Sequence, residues 1–268
     1  MSEFDLLDTE SGNAVVVALD HGIAKGALDG FADPRRTLEA VLAGGPDAII
    51  ARAPFVQRFA DLIEAAPTAV VLAPDVLTFS TLPAQDDGDD MWTGAYSAEF
   101  LRSAEPSGVK VVLNFGRENR ERHRANIEYI VHLYEELRGT GIPLIVEPVL
   151  WGSRVPDGLG TDSDSIADAA RIGWELGGDI LKLPYPGQKE AFGDIVDRTP
   201  VPTMILGGPA TTPAATLADV EAAMAAGARG VMIGRSIWQT PDPAGMVEAM
   251  RQIVHEGRSA DAVRSLAP

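Results

Sequence analysis

Short apolar runs alternate with helical patterns along the whole chain. Eight runs read as strands: 14–19 (AVVVAL), 47–51 (DAIIA), 69–73 (AVVLA), 109–115 (VKVVLNF), 143–148 (PLIVEP), 179–183 (DILKL), 203–207 (TMILG) and 230–234 (GVMIG). Most are continuously apolar rather than alternating, which suits parallel strands covered on both faces. Between them, apolar residues return at helical spacing. Asp33-Pro34 offers an N-cap and first-turn pair ahead of Leu38, Val41 and Leu42. Residues 119–138 carry Ile127, Val131, Tyr134 and Leu137. Residues 163–176 carry Ile166, Ala169, Gly173 and Leu176, and residues 243–254 carry Met246, Val247, Met250 and Val254. Thr216 opens a T-x-x-D cap before Leu217, Val220 and Met224. A helix over 97–104 leads into the fourth strand.

Eight strands alternating with helices predict an α/β chain folded as a single (β/α)8 TIM barrel spanning residues 1–268. The rival is an open doubly wound sheet. Its usual sign, G-x-G-x-x-G after the first strand, is missing, since that turn reads DHGIAKGALDG. One connection is irregular: residues around 75–96 form a long acidic loop, within which MWTGA reads as a short extra strand.

Composition narrows the setting. The 268 residues are 46% hydrophobic, enough for a sizeable core, yet the apolar runs are far too short to span a bilayer. The opening MSEFDLLDTESGN lacks the basic-then-apolar layout of a signal peptide. With no cysteine, disulfides and thiolate metal sites are excluded, and the cytoplasm is the expected compartment. The net charge of −17 argues against nucleic acid and anionic membranes as partners. Four lysines stand beside 18 arginines and 39 acids, a balance that fits either a salt-loving or a high-GC source.

In a barrel, reactive groups lie at the C-terminal ends of strands. The first strand ends in Asp20-His21-Gly22, the fourth contains Lys110, the fifth ends near Glu147 and the sixth holds Lys182. Lysine is almost never fully buried without a partner. A lysine inside a barrel can lose its proton, because burial disfavours the charged form and a second cation such as Lys110 pushes the same way. The neutral amine attacks carbonyls and forms a Schiff base. A carboxylate must then move protons, and Asp20 and Glu147 are both candidates. A Glu147 near an apolar wall, with Trp151 close in sequence, is expected to have a raised pKa. The glycine turns ILGGPATT and MIGRS follow the last two strands, where barrels often build a phosphate site. Gly207, Gly208 and Gly234 let backbone approach an anion, and Arg235 adds a forked charge. Each group also has a structural alternative: His21 as a loop cap, Lys110 as an outward-snorkelling side chain, Lys182 as a salt-bridge partner.

The stretches ALDHG, VKVVLNFG, DILKLPYPG, ILGGPATT and GVMIGRSIWQTPDPAGMVEAM resemble the class I aldolases of the archaeal fructose-bisphosphate type. That group includes tagatose-bisphosphate aldolase, the more distant deoxyribose-phosphate aldolase, and the archaeal dideoxyheptulosonate synthase. The resemblance implies that Lys182 is the Schiff-base lysine, that Asp20 hydrogen-bonds substrate hydroxyls, and that Gly207, Gly208, Gly234 and Arg235 fall at the phosphate site. The archaeal enzymes carry a catalytic tyrosine after strand five, whereas this chain reads IVEPVLWGSRVPDG there. Glu147 instead resembles the glutamate of tagatose-bisphosphate and sulfofructose-phosphate aldolases, and Lys110 resembles their second lysine.

The expectation is a class I, metal-independent lyase that needs no cofactor. It would make or break a C–C bond in a phosphorylated sugar or keto acid, as a homo-oligomer. Alternatives are a transaldolase- or thiolase-like transferase on the same scaffold and a non-catalytic sugar-phosphate-binding barrel. The four histidines, His21, His123, His132 and His255, show no ligand spacing, which disfavours a metal-dependent aldolase.

Overall fold

Strands that are apolar on both faces must be covered on both, and a closed sheet ringed by helices does this. The computed structural model describes residues 5–7, 10–77, 92–116, 118–208 and 211–267. Its strands are Ala14–Ala18 (β1), Ala48–Ala51 (β2), Ala69–Leu72 (β3), Asp75–Leu77 (β4), Trp92–Gly94 (β5), Gly108–Phe115 (β6), Leu144–Leu150 (β7), Ile180–Leu183 (β8), Thr203–Leu206 (β9) and Gly230–Ile233 (β10). Eight of them close a parallel barrel in the order β1-β10-β9-β8-β7-β6-β3-β2. These are the eight strands expected from the apolar runs, with ends shifted by a residue or two. The β1–β10 pairing, from Ala14↔Gly230 to Val17↔Ile233, closes the ring.

Pleating assigns each side chain to one face. Ala14, Val16, Ala18, Ala48, Ile50, Val71, Ile145, Ile180, Met204 and Met232 form one buried cluster, the barrel interior. The alternate residues, among them Val15, Val17, Val109, Val111, Val146 and Leu181, join the larger cluster under the helices. Lys182 shares its face with Ile180, two residues before it, and Glu147 shares its face with Ile145. Lys110 and Val112, two apart on β6, both line the cavity at the barrel mouth. Lys110 therefore points inward and does not snorkel.

The helices follow their caps. Asp33 accepts a hydrogen bond from Arg36 N (3.1 Å) ahead of Pro34–Ala43, as expected. The helix Pro213–Ala225 is capped by Thr212, which accepts from Ala215 N at 3.2 Å, with Pro213 in the first turn. The expected Thr216 cap is therefore wrong: a proline one residue after Thr212 starts the helix a turn earlier, and Thr216 lies buried inside it. On Arg120–Leu137 the buried stripe is Asn126, Ile130, Leu133 and Leu137, rotated from the expected face, and Tyr134 is exposed. Asn126 sets that rotation by hydrogen-bonding to β6.

β3 pairs with β6 only at Val71↔Gly108 and Leu72↔Val109. Beyond that point side chains complete the ladder. Asp75 Oδ2 accepts from Val112 N (2.9 Å) and from Trp92 Nε1 (3.0 Å). Asn126 accepts from Asn114 N (3.0 Å) and donates to Val112 O (2.7 Å). These bonds fix the strand that carries Lys110. The ends of the expected acidic loop form the antiparallel β4–β5 ribbon, so the extra strand at MWTGA is present as Trp92–Gly94. Residues 78–91 of that loop lie outside the described residues. Among the described residues no helix is long and apolar enough to cross a membrane.

Candidate active site

The interior faces of four strands meet at the C-terminal mouth of the barrel. Lys182 Nζ on β8 lies 2.9 Å from Glu147 Oε1 on β7. Glu147 Oε2 is 3.0 Å from Lys110 Nζ on β6. Lys110 Nζ is 2.9 Å from Asp20 Oδ2, just past the end of β1. Two ammonium groups and two carboxylates thus form one chain of charge-assisted contacts. Lys110, Glu147 and Lys182 are 3%, 3% and 5% exposed, so each charge relies on the others for compensation.

The electrostatics follow from burial and proximity. Burial pushes the Asp20 carboxyl up, but Lys110, with His21 and Lys182, outweighs it and holds Asp20 below the usual carboxylate range. Burial likewise acts against Glu147, and Lys110 and Lys182 together hold its pKa below the ordinary value. The expected raised Glu147 pKa is therefore overturned: two cations, not an apolar wall, face this carboxylate, and Trp151 is 39% exposed. Lys110 is pulled down by burial but pushed above the ordinary lysine value by Asp20 and Glu147. His21 falls to about 4, chiefly through burial, with Asp20 opposing. Its Nδ1 stands 3.7 Å from Asp20 Oδ1, too far for a hydrogen bond, and its ring meets Trp238 edge-on at 5.5 Å.

These groups line a cavity of about 720 Å³, whose wall also includes Gly207, Gly208, Gly234 and Arg235. Gly234 and Gly207 are there for space, whereas a Cβ on Gly208 would meet nothing within 4 Å. A Cβ on Gly234 would fall 2.5 Å from His21 Cε1 and 2.6 Å from Ala18 O, and one on Gly207 would fall 3.0 Å from Ile233 Cγ2. Arg235 Nη2 donates to Gly208 O at 3.4 Å, linking the two turns. Pro209, counted in the expected anion turn, lies outside the described residues. Three of the four lysines, Lys25, Lys110 and Lys182, line this cavity, while Lys189 sits exposed on an outer helix. In a chain of net charge −17, that concentrates positive charge at the barrel mouth.

Several lining residues escaped the sequence reading, two charged ones at strand ends among them. Arg52 and Asp75 stand just past β2 and β3, so the strand-end rule applied to those two strands would have found them. Burial raises the Asp75 carboxyl, with Lys110 opposing.

Residues 14–240 match the DeoC/LacD family aldolase model. The chain belongs to the DeoC/LacD aldolase family. This aldolase is 30% identical over 266 residues to the class 1 fructose-bisphosphate aldolase of Halobacterium salinarum, covering 94% of each chain. It is 29% identical over 248 residues to the 2-amino-3,7-dideoxy-D-threo-hept-6-ulosonate synthase of the same organism, covering 92% of this chain and 89% of that one. An archaeal fructose-1,6-bisphosphate aldolase, solved with its catalytic lysine covalently bound to the carbinolamine intermediate, superposes with a TM-score of 0.81 at 26% identity. That match covers 94% of this chain and 98% of the other. The aldolase is thus an enzyme of the class I type on a (β/α)8 barrel.

Proposed function

We propose that this aldolase makes or breaks a C–C bond in a phosphorylated ketose or keto acid through a Schiff base on Lys182, without a metal or other cofactor. The carrying observation is the 2.9 Å contact between Lys182 Nζ and Glu147 Oε1 inside the barrel mouth. At that distance Glu147 can take a proton from the Lys182 ammonium as a carbonyl substrate enters. The amine attacks the carbonyl carbon, the carbinolamine loses water, and the iminium that forms draws electrons from the neighbouring carbons. Deprotonation of the hydroxyl on the carbon beyond the scissile bond releases an aldehyde and leaves an enamine; a carboxylic acid reprotonates it to the iminium, and water hydrolyses that iminium to free the ketone and Lys182.

Glu147 is the favoured proton carrier because it alone of the two carboxylates contacts Lys182. Asp20 and Lys110 offset each other within the four-membered chain of charges, and Asp20 stands where a substrate hydroxyl would lie. The Gly207–Gly208 and Gly234–Arg235 turns receive the substrate phosphate, the arginine supplying charge and the backbone N–H groups direction. Run in reverse, the same enamine would add to a different aldehyde. The likeness to a relative named as a heptulosonate synthase supports that second, transferase-type reading.

Lys182→Ala should abolish turnover while circular dichroism shows the barrel still folded, even though the lost ion pair with Glu147 lowers its stability. Retention of near-normal kcat by that variant would rule out an imine at Lys182.

A further inference from the structure

The cavity wall falls into three sectors. β1, β2, β3 and β6 are neighbours in the ring and bring charged groups to the mouth: Asp20, Arg52, Asp75 and Lys110. β9 and β10 lead into the glycine turns and Arg235. Between these, the connections that follow β7 and β8 contribute Trp151, Gly160, Thr161, Pro184 and Tyr185. This third sector is uncharged. It follows directly on the two strands that carry Glu147 and Lys182.

Among the described residues the exposed large apolar side chains are Ile23, Phe100, Tyr134, Trp151 and Ile172, and of these Trp151 alone lines the cavity. An indole left 39% exposed at the lip of a reactive cavity is apolar surface held ready for a ligand. Its loop is pinned: Arg154 N donates to Gly116 O and Val155 N to Gly152 O, both at 3.0 Å. Across the sector the Tyr185 ring meets Phe192 edge-on, with centroids 5.6 Å apart. Thr161 Oγ1 donates to Gly158 O at 3.2 Å, so its hydroxyl is spent on its own loop. A surface fixed in this way costs a ligand little ordering. It also offers few donors and acceptors to a polyol, whose hydroxyls would find theirs in the charged sector.

We propose that Trp151 and Tyr185 form a specificity wall that takes an aryl or other planar apolar group on the aldehyde half of the substrate. This rests on the Schiff-base reading for the carbonyl and on the glycine turns for the phosphate. With the phosphate at β9 and β10 and the carbonyl carbon at β8, the chain continues in ring order toward β7, where Trp151 stands. The aldehyde is then larger than a triose. The cavity of about 720 Å³ has the room, since sites of roughly 300–1,000 Å³ bury drug-sized ligands.

Titration calorimetry on the full chain tests this with inert probes: ω-phenylalkyl phosphates with linkers of two to six carbons, the matched n-alkyl phosphates, and D-glucitol 6-phosphate as a polyhydroxylated control. Wild type should bind at least one phenylalkyl phosphate roughly tenfold or more tightly than the matched alkyl phosphate and the polyol phosphate. Trp151→Ser should remove most of that advantage while leaving the alkyl phosphate within about twofold, and Trp151→Phe should keep part of it. Arg235→Gln should weaken every probe, since all share the phosphate. Equal binding of phenylalkyl and alkyl phosphates by wild type overturns the proposal, and so does a Trp151→Ser loss that falls equally on both. A polyol phosphate that outbinds every phenylalkyl phosphate, and loses that lead in Trp151→Ser, makes the wall a sugar platform and overturns it too. If Trp151→Ser fails to fold, the wild-type comparison and a reduced preference in Trp151→Phe decide. Borohydride reduction separates this from the reading beneath it. An aryl preference lost in Trp151→Ser, without any substrate adduct on Lys182, keeps the wall and rejects the imine; an adduct without the preference does the reverse.

Discussion

Glu147→Gln isolates the group on which both the charge balance and the proposed chemistry depend. Each Glu147 oxygen accepts from one lysine, at 2.9 Å and 3.0 Å. Glutamine keeps one acceptor but turns an NH2 donor toward the other ammonium, so one contact becomes donor against donor. Lys110 retains Asp20 at 2.9 Å, and Lys182 loses its only carboxylate among the described residues. Removing one member of a buried ion pair typically costs about 3–5 kcal/mol. Urea unfolding at pH 7 should show a loss of that order. The sign with pH follows from the depressed Glu147 pKa. The stabilisation is present above the ordinary carboxylate range and fades as pH falls through the folded-state value, so the gap between wild type and variant should narrow in acid. Glu147→Gln/Lys182→Met, which removes both charges, should recover most of the loss. Turnover should drop by roughly 10²–10⁴-fold from the missing proton carrier, yet borohydride should still trap an adduct on Lys182. A Glu147→Gln protein with kcat near wild type and unchanged stability would show that Glu147 neither carries the proton nor balances the two lysines. If Asp20→Asn alone were dead, the proton role would pass to Asp20.

Three further outcomes are expected. The His21 imidazole should remain neutral down to about pH 4 in the folded protein; carbon-13 NMR of the ring will show this, and a titration near the ordinary histidine value would contradict the packing described. Arg235→Ala should raise KM for a phosphorylated substrate far more than it lowers kcat, with little effect on a dephosphorylated analogue. At the opposite end of the barrel, Asp47 accepts from Val15 N (2.6 Å), pairs with Arg251 (2.9 Å) and contacts His255 Nε2 (2.8 Å). Asp47→Ala should therefore lower the unfolding free energy by about 1–3 kcal/mol and leave kcat nearly unchanged.

The strands were legible because a parallel strand buried on both faces must be apolar throughout, and 14–19 or 203–207 allows few other readings. Lys182 and Lys110 stood out because a charged residue in such a run needs a reason. What escaped was decided by partners distant in sequence. The buried face of Arg120–Leu137 is set by Asn126 bonding to β6, and the pattern of Ile127, Val131 and Tyr134 hides it. The start of Pro213–Ala225 is set by Thr212, which competes with an equally plausible Thr216 three residues into the helix. The lowered Glu147 pKa needed the two lysines to be placed against it, whereas the neighbouring Trp151 in the sequence pointed the other way. Arg52 and Asp75 follow short strands whose apolar runs end before them, at the start of connections with little pattern of their own.

The central claim, a covalent imine on Lys182, is tested most directly by peptide mapping after borohydride reduction with a panel of phosphorylated ketoses and keto acids. A substrate-dependent reduced adduct is expected on the peptide that contains Lys182, absent from Lys182→Ala. An adduct confined to Lys110 or Lys25, or turnover of a substrate with no adduct on any lysine, would contradict it.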